Sequence, residues 1–448
     1  MVTPAIVVAA PSSGSGKTTV ATGLMAALRR RGTTVAPFKA GPDYIDPGYH
    51  TLAAGRPGRN LDPVLVGEDR VAPLFAHGCA GADVAVVEGV MGMFDGRAAE
   101  SDFGSTAHLA KLLGAPVVLV VDVWGQARSV AALLHGFRDY DHEVRLAGVI
   151  ANRVGSPYHA QIIATACEEV GLPMFGALPR TGDISLPSRH LGLVTAAEHG
   201  KATSAVDAMA VLVANGVNLD ALLSAAGGAG AGAPWNPSEE VGAPAPGEPL
   251  VAVAGGPAFT FGYAEHVELL AAAGARVTVF DPLRDEALPE GTRGVVLPGG
   301  FPEQHAEALS ANASLRHSVA AFVRSGGAVH AECGGLLYLA KELDGQPMCG
   351  VLDVRASMSD RLVLGYREAV AATDSVLDMA GARRVGHEFH NTAVRPRHAA
   401  TPAWRWRDRS GSTVEEGFVT GGLHASYLHT HPAGAPNSVA RFVRRCAA

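Results

Sequence analysis

Cysteine is scarce in this sequence, and its spacing excludes two structural uses. The 448 residues contain five cysteines: Cys79, Cys167, Cys333, Cys349 and Cys446. They are odd in number and widely scattered, so they match neither the paired spacing of a zinc site nor a disulfide framework. A reducing compartment, the cytoplasm, is therefore the expected location.

Positive charge and long apolar runs are also missing. The formal net charge is −7, which leaves no basic field to hold nucleic acid or an anionic membrane. No apolar stretch is long enough and uninterrupted enough to span a bilayer. Residues 1–10 lack a basic n-region and their apolar run stops at Pro11, so we interpret them as a first strand and not as a signal peptide. We expect a chain that binds neither nucleic acid nor membrane.

The chain exceeds what one hydrophobic core usually serves, and its patterns predict two α/β domains. Short apolar runs alternate with helical patterns across the first half, which is typical of parallel βαβ units and predicts a doubly wound domain over 1–226. Residues 227–249 consist largely of Gly, Ala and Pro, and we interpret them as an interdomain linker. The alternation then resumes, so a second α/β domain is predicted over 250–448.

A phosphate-binding loop follows the first strand. The run APSSGSGKTTV opens a helix, and a helix N-terminus favours phosphate. Pro11 stands where the standard pattern has its first Gly, so the loop is a variant form. An incidental Gly/Ser-rich turn is the alternative, which the agreement of strand, loop and helix disfavours. The glycine backbones would approach phosphate oxygens, the lysine would neutralise charge and the first threonine would offer a hydroxyl to Mg²⁺. The candidate ATP ligands here are Ser13, Gly14, Ser15, Gly16, Lys17, Thr18 and Thr19.

Acidic residues near predicted strand ends are candidates for metal binding. Glu88 ends an apolar strand in VVEGVMGMFDG, where ligands collect in such sheets, and is a candidate Mg²⁺ ligand. Asp43 and Asp46 lie three residues apart in FKAGPDYIDPGYH. They could hold metal or act on the substrate, and on spacing alone they could equally be turn residues.

The second half contains the pattern of a nucleophile elbow. In AVHAECGGLLYL the turn would expose the sulfur of Cys333, and the helix N-terminus would favour its thiolate. The amides of Gly334 and of Gly300, at the end of an upstream strand, are candidate oxyanion donors. His429 and His431 in YLHTH are candidate bases. A buried core cysteine is the common alternative for a single Cys, and the elbow pattern outweighs it.

These motifs together resemble the cobyrinic acid or hydrogenobyrinic acid a,c-diamide synthase family. The similarity runs from the phosphate loop through GPDYIDP and VVEGVMGMFDG to ECGG, GHEFH and YLHTH, over nearly the whole chain. It implies a P-loop, dethiobiotin-synthetase-like amidoligase domain followed by a class I glutamine amidotransferase-like domain. The implied substrates are ATP, glutamine and a corrinoid polycarboxylate, with Mg²⁺ as cofactor and, by analogy, a homodimer as the assembly.

The resemblance also implies roles for single residues. Cys333 would be the nucleophile and His429 its base, with His431 in place of the usual carboxylate two residues after the base. Asn152 in GVIANRVG would recognise adenine. Family positions for substrate activation and metal binding imply Asp46 as a catalytic residue, Asp43, Tyr44 and Asp95 as substrate-binding residues, and Thr18, Glu88 and Asp43 as metal ligands.

Other interpretations fit part of the pattern. A nickel-sirohydrochlorin a,c-diamide synthase would have the same architecture and chemistry, and cobyric acid synthase shares both domain types but differs after its phosphate loop. A P-loop partitioning or switch protein is disfavoured because Ser12 stands where such proteins have a signature lysine, and because it leaves the Cys333 elbow unexplained. Retention of Cys333 and His429 argues against a regulatory module with an inactive amidotransferase domain. His387 and His390 lack the helical spacing of zinc ligands.

Overall fold

The computed structural model describes residues 2–97, 102–180, 199–230 and 232–448. The chain divides into two compact units, Met1–Trp235 and Asn236–Ala448. This division lies inside the range 227–249, for which we predicted a linker.

The first unit is built on a parallel sheet. Its strands follow the order β3-β2-β4-β1-β5-β6-β7, and β8 pairs antiparallel with β1. The strands are β1 (Thr3–Ala9), β2 (Val35–Ala40), β3 (Arg59–Leu61), β4 (Val84–Glu88), β5 (Val117–Asp122), β6 (Leu146–Val154), β7 (Met174–Pro179) and β8 (Gly227–Ala229). The helices are α1 (Lys17–Arg30), α2 (Asp46–Ala54), α3 (Pro63–Val66), α4 (Glu68–Gly78), α5 (Thr106–Leu113), α6 (Val130–Asp139), α7 (Pro157–Glu169), α8 (His199–Gly216) and α9 (Leu219–Ala225).

The strands at the centre of this sheet are apolar and buried, as the sequence pattern predicts. Ile6 and Val8 of β1 pack in one core with Leu24 of α1 and Val213 of α8, and each of these side chains is almost fully buried. The two helices approach closely at Gly23, where a Cβ atom would lie 2.6 Å from the Met209 backbone oxygen. The core therefore fixes α1, and with it the loop that precedes α1, against the carboxyl end of β1.

The predicted linker is ordered over much of its length. Strand β5 begins opposite Val7, which leaves residues 3–5 of β1 open on that side, and β8 pairs with them. Trp235 is buried, and its backbone N–H donates to the Pro73 carbonyl oxygen at 2.9 Å. The Gly- and Ala-rich composition forms no core of its own, but small residues pair readily with an open stretch of backbone.

The second unit contains two sheets. In the first, β10-β9-β11-β12-β20 run parallel and β19 pairs antiparallel with β20; the second has the order β14-β13-β15-β16-β21, with β17 on β15 and β18 on β17. The strands are β9 (Leu250–Ala254), β10 (Arg276–Phe280), β11 (Thr292–Leu297), β12 (Ala328–Glu332), β13 (Glu342–Leu343), β14 (Gln346–Pro347), β15 (Arg355–Ala371), β16 (Arg383–Arg395), β17 (Trp404–Arg407), β18 (Thr413–Glu416), β19 (Phe418–Thr420), β20 (Leu423–Ser426) and β21 (His429–Thr430).

The helices of the second unit flank its parallel strands. They are α10 (Pro237–Val241), α11 (Ala264–Ala272), α12 (Ala306–Ala311), α13 (Ala313–Arg324), α14 (Gly334–Leu339) and α15 (Pro436–Ala447), with short 3₁₀ helices over Pro302–His305 and Pro432–Gly434. Leu297 of β11, Val329 of β12 and Leu336 of α14 belong to one buried core. Across the described part of the chain, no helix combines the length and the apolar character that crossing a bilayer requires.

Candidate functional site

The loop between β1 and α1 has the backbone of a phosphate-binding loop. Gly14 and Gly16 have φ angles of +82° and +100°, which L side chains rarely adopt. The Nζ atom of Lys17 turns back into the loop and donates to the carbonyl oxygens of Ser12, at 3.1 Å, and of Met91. The loop thus presents backbone amides and a lysine at a helix N-terminus, the arrangement that holds phosphate.

Asn152, near the C-terminal end of β6, contacts this loop. Its Nδ2 atom donates to the Ser15 carbonyl oxygen at 3.0 Å, and a Cβ atom on Gly16 would lie 2.2 Å from that nitrogen. The asparagine therefore lies beside the loop. Its predicted contact with adenine stays a prediction.

Parallel pairing brings charged side chains together beside the loop. Glu88 ends β4 and is in register with both Val8 of β1 and Lys39 of β2. Its Oε1 atom accepts hydrogen bonds from Thr18 Oγ1 at 2.7 Å and from Lys39 Nζ at 2.8 Å. The same Nζ atom donates to Asp46 Oδ2 at 2.6 Å. Predicted residues 18, 46 and 88 thus lie in one buried cluster.

Burial and the neighbouring charges shift the pKa values of this cluster in different directions. Burial alone would lower the pKa of Lys39, but the charges of Asp46 and Glu88 outweigh it and hold that pKa well above its ordinary value. Burial would raise the pKa of Glu88, but the Lys39 charge and the His50 contact hold it well below the usual range. Burial and the charges of neighbouring carboxylates raise the pKa of Asp46. Glu88 is thus held ionised beside the Lys39 ammonium.

Asp43 stabilises the turn before α2, which is one of the two roles that the sequence left open for this residue. Its Oδ1 atom accepts the backbone N–H groups of Ile45, at 2.8 Å, and of Asp46, at 3.0 Å, while Oδ2 lies 4.0 Å from Lys39 Nζ. Asp43 therefore both stabilises the turn and lies beside the charged cluster.

The remaining predicted ligands lie on the loops around the cluster. Tyr44 is buried in the same turn. Asp95 accepts the Gly92 N–H at 2.8 Å and so shapes the loop that follows Glu88. Their predicted contacts with substrate stay predictions.

Sequence reasoning missed three residues of this region. Lys39 is the penultimate residue of a strand whose residues are all buried, and a charged residue at such a position is a signal that was available. His50 places Nε2 2.6 Å from Glu88 Oε2. Asn60 donates to the carbonyl oxygens of Gly41 and Asp43, which holds the loop. His50 is the last residue of the run FKAGPDYIDPGYH but was given no role there, and Asn60 belongs to no recognisable motif.

Replacing Lys39 is expected to destabilise the first unit strongly. The Lys39→Met change removes the cation but leaves buried Glu88 and Asp46, and breaking such a buried pair costs about 3–5 kcal/mol. Urea unfolding measures this loss. Lys111→Met is the matched control, because Lys111 pairs with Asp102 and Asp141 at a more exposed position and its loss should cost at most about 1 kcal/mol. Equal losses in the two variants would contradict the expectation.

The second site begins at Cys333, which lies on a strand-to-helix elbow. Between β12 and α14 its backbone adopts φ 46° and ψ −98°, a strained conformation for a residue with a side chain. Its N–H donates to the Ser426 carbonyl oxygen at 2.7 Å, which ties the elbow to β20. The predicted strand-to-helix turn is present, but the sulfur that it was expected to expose is buried: Cys333 is only 3% exposed and belongs to the apolar core of this unit.

Glycines bring the predicted oxyanion donors close together. A Cβ atom on Gly334 would lie 3.0 Å from the Gly300 backbone nitrogen, and one on Gly299 would lie 2.4 Å from His429 Cε1. The turn after β11 therefore runs against both the elbow and the imidazole. Two backbone amides beside a nucleophile are the arrangement of an oxyanion hole.

The carboxylate that faces His429 is Glu332, the residue before the nucleophile. Glu332 Oε2 lies 3.6 Å from His429 Nδ1, and its Oε1 atom lies 3.2 Å from His330 Nε2. His431 has a different place: its Nδ1 atom accepts the Ala433 N–H at 3.2 Å and its ring lies 4.2 Å from that of Tyr263. The acid is thus supplied from β12 and not from the position two residues after the base.

The resting thiol differs from the expectation of a favoured thiolate. Burial raises the pKa of Cys333 well above its ordinary value, and the nearby carboxylates of Glu303, Glu332 and Glu388 raise it further, against a smaller lowering by the Gly334 amide. Because the thiol is neutral at physiological pH, a base must take its proton during attack.

The two histidines that were considered and set aside as zinc ligands both lie in β16, next to side chains from other segments. His387 is paired in register with His429, and the ring of His390 stacks on Tyr427 with centroids 3.8 Å apart. Within the described ranges, no group of three or more His, Cys, Asp or Glu side chains is arranged to hold a metal ion.

Two protein-family models match the chain. The CobQ/CobB/MinD/ParA nucleotide binding domain matches residues 6–194, and the CobB/CobQ-like glutamine amidotransferase domain matches residues 250–436. The predicted order of a P-loop domain and a glutamine amidotransferase-like domain is confirmed. The first of these two families is a family of nucleotide-binding domains.

Relatives match over almost their entire length. Hydrogenobyrinate a,c-diamide synthase of Mycobacterium tuberculosis (strain ATCC 25618 / H37Rv) is 58% identical, with 99% of this chain and 98% of the relative covered. The enzyme of the same name from Streptomyces coelicolor is 56% identical, with 99% and 97% covered. Cobyrinate a,c-diamide synthase of Gloeobacter violaceus is 43% identical, with 99% and 97% covered.

Proposed function

This chain belongs to the family of hydrogenobyrinate and cobyrinate a,c-diamide synthases, and from that premise we propose that it amidates the a- and c-acetate carboxylates of a corrin ring precursor. The reaction uses ATP to activate the carboxylate and glutamine as the source of nitrogen. The observation that carries the proposal is that one chain holds both a charged cluster at a phosphate loop, where Thr18 and Lys39 contact Glu88, and the Cys333 elbow. Glu332, the residue before the elbow, faces His429.

The first unit performs the activation. A carboxylate is a poor electrophile, so the γ-phosphoryl group of ATP is transferred to the acetate oxygen, which gives an acyl phosphate and turns phosphate into the leaving group. The amides of residues 13–16 and the Lys17 ammonium hold the phosphates. Lys39 holds Glu88 and Asp46 in place beside the loop, because its ammonium donates to both carboxylates.

The donor set of this unit fits Mg²⁺. Thr18 Oγ1 and Glu88 Oε1 lie 2.7 Å apart, and hydroxyl and carboxylate oxygens are the ligands that Mg²⁺ takes. Thr18 and Glu88, with Asp43 at the edge of the cluster, would hold the ion. When bound, it supplies charge neutralisation on the phosphate oxygens.

The second unit releases ammonia from glutamine. His429 takes the Cys333 proton while the sulfur attacks the amide carbon, and the amides of Gly300 and Gly334 stabilise the oxyanion. The carbon–nitrogen bond then breaks, and the nitrogen leaves as ammonia with the proton from His429. Water hydrolyses the remaining thioester to glutamate and restores the thiol. The ammonia displaces phosphate from the acyl phosphate and forms the amide.

The metal-free ring is the better supported substrate. Relatives named hydrogenobyrinate a,c-diamide synthase are 50–58% identical to this chain, and those named cobyrinate a,c-diamide synthase are 38–43% identical. A cytoplasmic homodimer stays a prediction from the sequence.

Mass spectrometry of the products tests the proposed substrate. Hydrogenobyrinic and cobyrinic acids are incubated separately with the protein, ATP, Mg²⁺ and glutamine. We expect ATP-dependent addition of two amides to hydrogenobyrinic acid, at a higher rate than to cobyrinic acid. Mixtures without ATP are the control and should show no mass change. No amidation of either ring, with glutamate still released, would reject these substrates and direct the search to sirohydrochlorin derivatives.

A further inference from the structure

The base of the glutamine site lies at one end of a row of buried polar side chains. His429 and His330 contact the two oxygens of the same carboxylate: Glu332 Oε2 lies 3.6 Å from His429 Nδ1, and Oε1 lies 3.2 Å from His330 Nε2. Oε1 also accepts the Thr430 N–H at 3.2 Å and the Thr430 hydroxyl at 3.1 Å. All four residues are at least half-buried, and His429 has no exposed surface.

The strand register produces this arrangement. His330 and Glu332 are two residues apart on β12, so their side chains project from the same face of the strand. Glu332 is the residue immediately before the elbow, and β21 brings His429 and Thr430 to its carboxylate. The acid is therefore carried on the same backbone segment as the nucleophile, in a rigid strand and not in a loop.

We propose that Glu332 is the orienting carboxylate of His429 during glutamine hydrolysis, and that His330 holds this carboxylate from its opposite side. The inference deepens the proposed glutaminase step and rests on it. Glu332 touches neither glutamine nor the sulfur in this role, so it acts as a positioning residue. With Nδ1 directed at Glu332, Nε2 is the ring nitrogen left to receive the Cys333 proton. The 3.6 Å separation exceeds a hydrogen bond, and such contacts shorten in substrate complexes.

The surroundings of the row favour an ionised Glu332. Burial would raise the pKa of Glu332, but the contacts with His330 and His429 outweigh burial and hold that pKa well below its ordinary value. Behind His330, burial lowers the pKa of His266 to about 4 and that of His424 to about 3. These two rings are neutral at physiological pH, so they do not compete for the carboxylate charge.

Other titratable groups surround the elbow and the carboxylate row, and Asp378 and Arg384 line one small cavity together with His330. The charges of Glu303 and Glu388 act on Cys333, and burial raises the pKa of Glu303 to about 7. His387 is paired in register with His429 on the neighbouring strand. These groups stay in place when Glu332 is changed, but the Glu332 charge also raises the pKa of Cys333, so the pH profile is interpreted together with the kcat of the charge-conserving Glu332→Asp variant.

The Glu332→Gln variant tests the proposal. We expect kcat for glutamate release in the complete reaction mixture to fall by about 10²-fold or more, with KM for glutamine nearly unchanged, because an amide at this position no longer stabilises the protonated imidazole. The acid limb of the pH–rate profile should move to lower pH for the same reason. Glu332→Asp, which keeps the charge, should recover part of the rate and the original acid limb. Amidation supported by added ammonium salt should stay at the parent level in both variants.

A double-mutant cycle tests the part assigned to His330. His330→Gln alone is expected to lower kcat for glutamate release by about 3–10-fold, because its effect passes through the carboxylate. In the Glu332→Gln background the same change should have little further effect. Independent, additive losses would overturn the coupling between these two residues.

A matched control separates positioning from a general loss of structure. Asp378 is a buried carboxylate of the same unit, and it pairs with Arg384 and Ser438. Asp378→Asn should lower the melting temperature but leave the acid limb where it is. The proposal is overturned if Glu332→Gln keeps the parental kcat and pH profile, or if its losses match those of Asp378→Asn. Failure of the proposed function would look different, because the parent protein would then amidate neither ring from either nitrogen source.

Discussion

The Cys333→Ala variant is expected to lose amidation from glutamine by at least about 10³-fold while it retains amidation from ammonium salt, since removal of a covalent nucleophile leaves only residual catalysis. Cys333 is held at φ 46°, and its N–H donates to the Ser426 carbonyl oxygen of β20, so the elbow fixes the position of this buried sulfur. The acyl phosphate forms in the first unit, and its reaction with free ammonia needs no thiol. Mass spectrometry of the ring product, with each nitrogen source in turn, measures both activities.

Cys349→Ala is the control for this experiment. Cys349 is also buried in the second unit, and its backbone N–H donates to the Tyr338 carbonyl oxygen at 2.9 Å. Because the Cys349 side chain lies in the apolar core that includes α14, its removal should affect stability more than glutamine use. The two-site scheme would be refuted if Cys333→Ala lost both activities while its melting temperature equalled that of Cys349→Ala.

The Lys17→Ala variant should lose amidation from glutamine and from ammonium alike, each by at least about 10³-fold, because a lysine in this loop neutralises the phosphoryl group that is transferred. Lys17 Nζ lies inside the loop, on the carbonyl oxygens of Ser12 and Met91, so the change removes the positive charge of the phosphate site. Glutamate release by Cys333 should continue, since that chemistry uses no phosphate.

Two measurements separate the causes of that loss. ATP binding by isothermal titration reports on the phosphate contacts, and the formation of ADP with the ring substrate reports on transfer. We expect weaker ATP binding together with no detectable ADP formation. Amidation from ammonium at more than about a tenth of the parental rate would show that another cation performs this task.

Contiguous motifs could be predicted from the sequence because neighbouring residues share one local geometry. The phosphate loop around Gly14 and Gly16 and the elbow at Cys333 each follow from a strand, a turn and a helix in succession. The division into two α/β units has the same origin, because alternating apolar and helical patterns are local. Thr18, Asp46 and Glu88 were assigned from motifs, and the register of β1, β2 and β4 brings them together.

Partners that meet only through the fold could not be predicted in the same way. Lys39 contacts Glu88 because the pairing of β2 with β4 places the two residues opposite each other. No local sequence pattern specifies this pairing. No role for Glu332 was predicted, because its contact with His429 depends on where β21 returns. Residues 227–249 had the composition of a linker, yet β8 pairs with β1 because β5 begins late.

The pairing of β8 with β1 decides where the chain can be cut into separately produced halves. A gene truncated after residue 226 would encode a nucleotide-binding half without β8 and without the buried Trp235, and would leave backbone amides of β1 open to pairing with other molecules. A gene that ends after residue 235 keeps both. The complementary half would then begin at Asn236, whose side chain caps α10 by accepting the Ser238 N–H. A break at this point supplies each half with its own ordered terminus.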